Sequence, residues 1–274
     1  MEIKATDVAK LRKMTGAGMM DCKRALVESD GDYEKAKEII REKGKLVAAK
    51  RSDRETTEGS VIAKVSDDKK KAILVCLGCE TDFVSQNKEF QTLANAIADI
   101  AMKEFPEDLN ALKACKINGM TVAEAVTEQT GKSGEKTVIA CYEKIEAPFA
   151  GSYIHMNGKV ATIVGFSKAI GDHDAKEIAM QVTAMNPVSV SKEDCPAEVI
   201  EKEMKIYREQ IAESGKPAAI ADKIAAGKLA KFFKESTLEE QVFVMNDKMT
   251  VKEFLKSLDP EVKVLSFKRY SLND

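Results

Sequence analysis

The sequence predicts an α+β fold, because helical and strand-like segments follow one another along the 274-residue chain. Apolar residues at helical spacing occupy residues 6–44. Segments with period two and many β-branched residues begin at Gly59, and the order of segments after Gly59 recurs from Gly151. These three observations together predict an N-terminal helical domain followed by a duplicated α+β core.

The N-terminal region is predicted to contain three short helices within residues 6–44. Gly31 is expected to close the second helix, and Asp32 is expected to cap the third one with its carboxylate. Gly44 follows the last apolar residues of the stripe, so it is expected at the position just after that helix.

A polar stretch at residues 45–58 separates the helical region from the first predicted strand. It is rich in Lys, Arg, Glu and Thr, and its later part has no apolar periodicity, which is typical of an exposed linker. The sequence therefore predicts a small helical domain, a first core subdomain and a second core subdomain, at residues 1–52, 53–148 and 149–274.

The first half of the core is predicted as a strand hairpin, a long helix, a short helix and a final strand. The long helix carries Phe83 and Phe90 on one apolar face. The other segments of this half are Ser60–Val65, Lys71–Cys79, residues 121–129 and residues 137–145. The same order returns in the second half at Gly151–Ile154, Val160–Phe166, Ala175–Met185, Thr250–Glu253 and Val262–Phe267.

One part of the second half has no counterpart in the first. Apolar residues at helical spacing occur on both sides of a turn at Ser214-Gly215-Lys216-Pro217. The pattern predicts an inserted antiparallel helical hairpin at about residues 196–235. The pattern leaves open whether this hairpin packs against the body or projects from it.

The composition bears on several classes of function. Lys and Arg total 43 and Asp and Glu total 45, so the net charge is −2, which argues against a direct nucleic-acid surface. The longest uncharged apolar run, Ala72–Cys79, is far shorter than the ~18 residues expected of a membrane span. The opening residues Met1–Asp7 lack the apolar region of a secretory signal. A cytoplasmic protein without membrane contact is expected.

No enzymatic, metal or cofactor site is predicted. Gly131-Lys132-Ser133 resembles the end of a phosphate-binding loop, but the earlier glycine of that motif is absent, so a plain loop is expected. Cys76 and Cys79 form a CxxC within a strand, where residues three apart face opposite sides, so two buried thiols are expected. His155 has no partner constellation in the sequence, and His173 is expected in a helix-capping turn.

Two long motifs carry a family resemblance. Leu11–Leu26 resembles the N-terminal signature of the elongation factor Ts family, and Cys79–Val84 resembles the central Thr-Asp-Phe-Val motif of that family. Further segments in the order of the family are Gly151–His155, Ile178–Val182, Gly215–Pro217 and Gln241–Val244. The resemblance covers nearly the whole chain.

The resemblance implies a guanine-nucleotide exchange factor rather than an enzyme. Its expected partner is elongation factor Tu, the translational GTPase, which it would bind in the GDP form. It would disrupt the Mg²⁺ and phosphate contacts, so that GDP leaves and GTP can rebind. The resemblance also implies that the N-terminal helices form a ubiquitin-associated-like domain and that the core is a pair of similar subdomains.

The resemblance further implies three groups of partner-binding residues. The group expected to disturb the nucleotide site is Thr81, Asp82, Phe83 and Val84. The contacts expected from the N-terminal domain are Arg12, Met19, Met20 and Lys23. The contact expected from the second core subdomain is His155.

Each of these residues also has a purely structural interpretation. Phe83 precedes Phe90 by seven residues, so it is equally compatible with the buried face of a helix. Asp82 is a favoured first-turn acid, and Met19 could belong to a small core. Two other classes also stay open at this point, a ribosome- or RNA-binding protein and a thiol oxidoreductase that uses the CxxC.

Overall fold

The computed structural model describes residues 3–214 and 218–274, and its fold is α+β. The helices are α1 Ala5–Thr15, α2 Met19–Glu28, α3 Tyr33–Lys50, α4 Asp82–Ser85, α5 Lys88–Glu104, α6 Leu109–Ala114, α7 Val122–Ser133, α8 Asp172–Met185, α9 Ala197–Glu213, α10 Ala218–Ser236 and α11 Val251–Leu258. The strands are β1 Glu58–Val65, β2 Lys71–Cys79, β3 Lys116–Ile117, β4 Met120–Thr121, β5 Val138–Glu146, β6 Phe149–His155, β7 Val160–Phe166, β8 Val242–Phe243, β9 Asn246–Thr250 and β10 Val264–Ser271. The predicted turn at Gly215, Lys216 and Pro217 lies outside the described residues.

The three N-terminal helices enclose a small apolar core of their own. Its buried members are Val8, Leu11, Ala17, Cys22, Ala25, Leu26 and Ala36. The Asp32 carboxylate caps α3 as predicted, because it accepts the backbone N–H groups of Glu34 and Lys35 at 2.9 and 3.2 Å. The sequence pattern thus located both the helices and the cap of the third.

Helix α3 does not end at Gly44, and that prediction is wrong. The helix continues to Lys50, and Gly44 is buried in its interior. A Cβ atom added to Gly131 of α7 would lie 2.7 Å from the Cα of Gly44. The missing side chains therefore let the two helices approach each other closely, so this glycine serves packing rather than termination.

Two three-stranded sheets have the same strand order. The first is β1-β2-β5 and the second is β6-β7-β10, and all neighbouring strands are antiparallel. The repeat extends to the helices α7 and α11, which each begin with a capping box, from Thr121 to Glu124 and from Thr250 to Glu253. The order predicted from the sequence is therefore present in both halves.

Strand β2 is buried on both of its faces. Ile73, Val75 and Leu77 belong to the core that α5 covers, whereas Leu74 and Cys76 belong to the core shared with β7. Because successive strand residues point to opposite faces, one strand contributes to both cores. The two sheets consequently lie face to face, with α5 on the outer side of one and α8 on the outer side of the other.

The hairpin turn of each sheet is bonded to the other sheet. The Val61 N–H donates to the carbonyl of Gly158 at 2.7 Å, and the Ala150 N–H donates to the carbonyl of Lys69 at 2.6 Å. The Lys159 ammonium adds an ion pair with Glu58 at 3.0 Å. These bonds satisfy backbone groups at the sheet edges and fix the relative position of the two sheets.

Helix α7 is longer than expected. It includes Gly131-Lys132-Ser133, so this segment is the last turn of a helix, not the predicted loop. The helix ends at Gly134, whose φ of +73° is left-handed and whose N–H donates to the carbonyl of Thr130. The helix-ending signal was therefore Gly134, since Gly131 is needed at the contact with α3.

Helices α9 and α10 pack against each other. Lys228 donates to the Gln210 side chain at 2.6 Å, and its ammonium lies 5.4 Å from the centre of the Tyr207 ring. An ion pair joins Arg208 to Asp222 at 3.6 Å. In the part of the chain that the structure describes, no helix is long and apolar enough to cross a membrane.

The contact between α3 and α7 generates a stability prediction. We expect Gly131→Ala to lower the free energy of unfolding by about 1–2 kcal/mol, because overpacking outweighs a helix-propensity gain of ~1 kcal/mol. Gly227→Ala in α10 is the matched control, since no atom lies within 4 Å of its added Cβ. It should stabilise by about 0.5–1 kcal/mol. Urea unfolding measures both variants, and a stabilised Gly131→Ala protein would contradict the close contact.

Candidate functional site

The long helix predicted after the first hairpin is broken into two helices. Helix α4 ends at Ser85, and α5 starts anew after Asn87, whose side chain accepts the Glu89 N–H at 2.8 Å. Phe83 and Phe90 therefore do not lie on one helix. Phe90 is fully buried, whereas 84% of Phe83 is exposed. The core interpretation of Phe83 is wrong, because the seven-residue spacing spans a break between two helices.

Helix α4 presents Asp82 and Phe83 to solvent while its other side faces the protein. Val84 packs against the first core, and the buried Ser85 donates its hydroxyl to the Asp82 carbonyl at 3.0 Å. The Asp82 carbonyl also accepts the Gln86 N–H at 2.9 Å. An acidic and an aromatic side chain thus stand exposed on a turn whose backbone is bonded.

Thr81, the residue before α4, is held by a distant carboxylate. Its N–H donates to Glu135 Oε2 at 3.1 Å, and its hydroxyl donates to Glu135 Oε1 at 2.8 Å. The Thr81 carbonyl accepts the thiol of Cys79 at 3.2 Å. Thr81 stands at the N-cap position without capping its own helix through its side chain. Its hydroxyl is engaged with the α7–β5 connection instead.

Glu80 ties the same turn to the end of α3. Its two oxygens each lie 2.8 Å from Arg51 Nη1, and Oε1 accepts the Lys136 N–H at 2.6 Å. Burial alone would raise the pKa of Glu80, but these two donors stabilise the carboxylate and hold the pKa below its ordinary value. The Lys136 ammonium also bonds the carbonyls of Ser52 and Arg54, so the first part of the predicted linker lies against the core.

The residues implied in the N-terminal domain are all at the surface. Met19 and Met20 begin α2 with 57% and 63% of their surface exposed, which excludes Met19 from a core. Arg12 and Lys23 are exposed as well. Arg12 and Met19 line a cleft of about 980 Å³ against the first core subdomain, whereas Met20 and Lys23 do not. Asn87, four residues after Phe83, forms part of the opposite wall.

His155 lies apart from both groups. It is exposed at the end of β6, and its Nδ1 lies 2.9 Å from the Tyr153 hydroxyl. It lines a separate cavity of about 350 Å³ together with Met156, Val244 and Arg269. The described structure thus brings Arg12 and Met19 next to the start of α5, and it places His155 on the second sheet.

The CxxC pair has the geometry that its strand position predicted. Cys76 belongs to the core between the sheets, and Cys79 belongs to the core under α5. Burial raises the pKa of each thiol to about 12, so neither is a thiolate near neutral pH. The oxidoreductase interpretation loses its support, because that chemistry needs a reactive thiolate beside a second thiol.

Metal ligands are not assembled within residues 3–214 and 218–274, where no group of three or more His, Cys, Asp or Glu side chains could hold an ion. His173 lies in the first turn of α8, directly after the Gly171 N-cap and Asp172, as predicted. Its Nε2 lies 3.3 Å from Glu177. The first turn of α8 and the contact with Glu177 therefore explain the position of His173.

Known proteins match along the chain. The family described as Elongation factor TS matches residues 80–274. An elongation factor Ts of Christiangramia forsetii is 45% identical over 273 residues, which cover 99% of both chains. That of Porphyromonas gingivalis is 46% identical over 274 residues, 100% of this chain and 99% of the relative. That of Flavobacterium psychrophilum is 46% identical over 272 residues, 98% of both.

These matches place the chain in a class, that of translation elongation factors. The chain belongs to the elongation factor Ts family, since the family match spans more than half of it and the relatives align over nearly its full length. Protein biosynthesis is therefore the process in which it acts.

Sequence reasoning did not single out the residues that hold the exposed turn. Glu80 could have been noticed as a charged residue between a buried strand and the family motif. Glu135 gave no such signal, because it lies 54 residues from Thr81 and nothing local marks the pair. Arg51 was counted within a polar stretch, where charged residues are ordinary.

The exposure of Phe83 generates a second prediction. Phe83→Ala should change the free energy of unfolding by no more than about 0.5 kcal/mol, because the side chain is mostly in water. Phe90→Ala is the matched control and should cost about 3–5 kcal/mol, since it empties a buried site. Thermal and urea unfolding measure both variants. A large loss of stability in Phe83→Ala would show that Phe83 is a core residue.

The environment of Glu80 generates a third prediction, on pH. The pKa of Glu80 is lowered in the folded chain, so the unfolded chain binds the proton more readily. Its contribution to stability is therefore present above the ordinary glutamate pKa of about 4.3 and is lost as the pH falls through the folded value.

We expect Glu80→Gln to be less stable than the parent at pH 7, and the difference to shrink as the pH falls towards 3. Unfolding by urea across this pH range measures it. Glu104→Gln, an exposed residue at the end of α5, controls for the general loss of a negative charge. A difference that is the same at both ends of the pH range would show that the Glu80 charge is not the cause.

Proposed function

We propose that this protein is the guanine-nucleotide exchange factor of elongation factor Tu. It binds the GDP form of that GTPase, disrupts the Mg²⁺ and phosphate contacts of the nucleotide, and promotes GDP release so that GTP can rebind. The observation that carries the proposal is the exposure of Phe83, beside Asp82, on a turn bonded to the core. Membership of the elongation factor Ts family supports it.

The four residues of the central motif have different parts in this proposal. Asp82 and Phe83 reach the Mg²⁺ and phosphate side of the partner's nucleotide site, where the carboxylate adds a negative charge and the ring adds an apolar wedge. Thr81 and Val84 face the protein and anchor the turn. Exchange of this kind needs no covalent step, so we propose no enzymatic activity and no cofactor for this chain.

Docking is proposed to rest on the N-terminal domain, which we assign as ubiquitin-associated-like. Met19 and Met20 are exposed, unbranched and adaptable, which suits a contact surface. Arg12 and Lys23 supply positive charge on the same domain. His155 is proposed as the contact of the second core subdomain, on a strand whose neighbour, β7, is the centre of the second sheet.

The proposed organisation follows the same reasoning. We retain the boundaries 1–52, 53–148 and 149–274 for the small domain and the two core subdomains. We interpret α9 and α10 as an inserted antiparallel helical hairpin. We propose that the protein acts in the cytoplasm with the translating GTPase, and without direct contact to nucleic acid or membrane.

The thermodynamics of exchange sets a requirement on the complex. A factor that weakens nucleotide binding is itself bound more weakly when the nucleotide is present, because coupling between two ligands is reciprocal. The factor must therefore make contacts in the nucleotide-free state that the nucleotide-bound state does not allow. An exposed acid and aromatic ring aimed at the nucleotide side meet this requirement, because they and the nucleotide compete for one region.

The fourth prediction separates docking from exchange. With elongation factor Tu loaded with fluorescent GDP, stopped-flow release should be accelerated by this chain. We expect Asp82→Ala and Phe83→Ala to lower the saturating release rate by roughly tenfold or more, as loss of a central aromatic or charged contact does. Met19→Ala/Met20→Ala should instead raise the concentration needed for half-maximal release.

Leu265→Ala controls for the removal of an exposed apolar side chain, since 52% of Leu265 is exposed on the second sheet. It should leave both parameters unchanged. An unaltered GDP release rate with the saturating parent protein would refute the proposed function. Equal effects of all variants on both parameters would refute the division between docking and exchange.

A further inference from the structure

The proposed function requires that Asp82 and Phe83 be held in place, and α4 cannot do this by itself. The helix has four residues, and a single helical turn is unstable alone because nucleation fixes several residues for one bond. Phe83 is 84% exposed, so its own contacts do not orient it either. Within α4, Val84 packs against the first core and Ser85 is buried, and the hold on the exposed end of the turn comes from the residues that flank it.

Glu135 is the flanking side chain that bonds Thr81 directly. Each of its carboxylate oxygens accepts one donor of Thr81, from the N–H at 3.1 Å and from the hydroxyl at 2.8 Å. Two bonds from one carboxylate to adjacent donors restrict both the position and the rotation of the group they hold. Thr81 gives up the capping of its own helix for this contact.

Glu135 is itself held from the other side. The end of α7 is set by Gly134 in the left-handed conformation, and the next N–H, that of Glu135, donates to the Ser133 hydroxyl at 3.2 Å. That hydroxyl is also placed to donate to the Glu135 carbonyl at 3.2 Å. The carboxylate therefore projects from a bonded connection between α7 and β5 rather than from a free loop.

A second carboxylate contact, between Glu80 and Lys136, joins the same two segments in the opposite direction. Glu80, next to Thr81, accepts the N–H of Lys136, which is next to Glu135. The two short segments 80–81 and 135–136 are thus joined by one carboxylate from each side. Arg51 extends the connection to the end of α3 through its contact with Glu80.

We propose that Glu135 is a positioning residue for nucleotide exchange, which acts on the partner only through Thr81 and the Asp82–Phe83 turn. The proposal rests on the proposed function and adds a residue outside the Thr-Asp-Phe-Val motif to it. Glu135 is half-buried and makes its side-chain bonds to Thr81. Its loss should therefore loosen the turn, because Thr81 then keeps neither of these two bonds.

A spectroscopic test needs only the isolated protein. The chain contains no Trp, so Phe83→Trp introduces a single indole at the exposed position. Adding Glu135→Ala should lower the fluorescence anisotropy of that indole, because the turn gains local motion. Glu143→Ala on β5, which removes a half-exposed ion pair with Lys268 of β10, is the matched control and should leave the anisotropy unchanged. Unchanged anisotropy in the Glu135→Ala variant would overturn the proposal.

A kinetic test separates positioning from a general loss of structure. Glu135→Ala should lower the saturating GDP-release rate by about tenfold, as misplacement of a reacting group does, and leave the half-saturating concentration within about twofold. In a chain that already carries Asp82→Ala and Phe83→Ala, the same change should cause no further loss. Glu135→Gln keeps one acceptor for Thr81, so an intermediate rate is expected.

The outcomes distinguish this proposal from the proposed function. A parent protein that does not accelerate GDP release refutes the function, and with it a role of Glu135 in exchange. If the parent protein accelerates release and the Glu135→Ala and Glu135→Gln variants accelerate it as much as the parent does, the positioning role alone is refuted. The positioning role is also refuted if Glu135→Ala lowers the GDP-release rate of the Asp82→Ala/Phe83→Ala protein as much as it lowers that of the parent. Glu135 would then act elsewhere. Thr81→Val, which removes only the hydroxyl donor, gives the same decision if Glu135→Ala does not fold.

Discussion

Helices α3 and α7 cross where Gly44 faces Gly131, and a Cβ atom on Gly131 would come within 2.7 Å of the other helix. This approach fixes the three N-terminal helices on the core, since α3 is one of them and α7 contributes to the core under α5. Beyond the contact, the end of α3 brings Arg51 to Glu80, and the end of α7 brings Glu135 to Thr81. The contact of Glu80 with Arg51 thus depends on this crossing, whereas Glu135 is placed by the packing of α7 on the first core.

A rigid exposed ring is useful to a binding protein and unfavourable in water. The chain offsets the exposure of Phe83 elsewhere, above all through β2, which contributes apolar residues to two cores at once. Fixing the turn before the partner arrives reduces the ordering that association would otherwise require. The same argument explains why the bonds are placed on Thr81 and Glu80, beside the exposed residues rather than on them.

Local patterns located much of this fold. The apolar, β-branched runs of β1 and β2, the Asp32 cap and the repeated Thr-Val-x-Glu boxes each have a physical cause within a few residues, so they could be predicted. The spacing between Phe83 and Phe90 predicts one helix, but the Asn87 cap starts a second helix between them.

Non-local contacts could not be found in this way. Gly44 is a helix-ending signal in isolation, and only its packing against Gly131 explains why the helix continues. The bond between Thr81 and Glu135 joins residues 54 positions apart, so no local pattern encodes it. The Thr-Asp-Phe-Val motif predicts the exposed residues of the site. Only the three-dimensional structure shows that Glu80, Arg51 and Glu135 hold them.

Exchange requires a difference between two affinities, which calorimetry measures directly. Isothermal titration of this chain into elongation factor Tu, once with GDP bound and once without nucleotide, gives both dissociation constants. The account predicts that the nucleotide-free partner is bound more tightly by at least about tenfold, since a factor can shift an equilibrium only by its differential affinity. Equal affinities would contradict it, because a ligand that binds both states equally displaces no nucleotide.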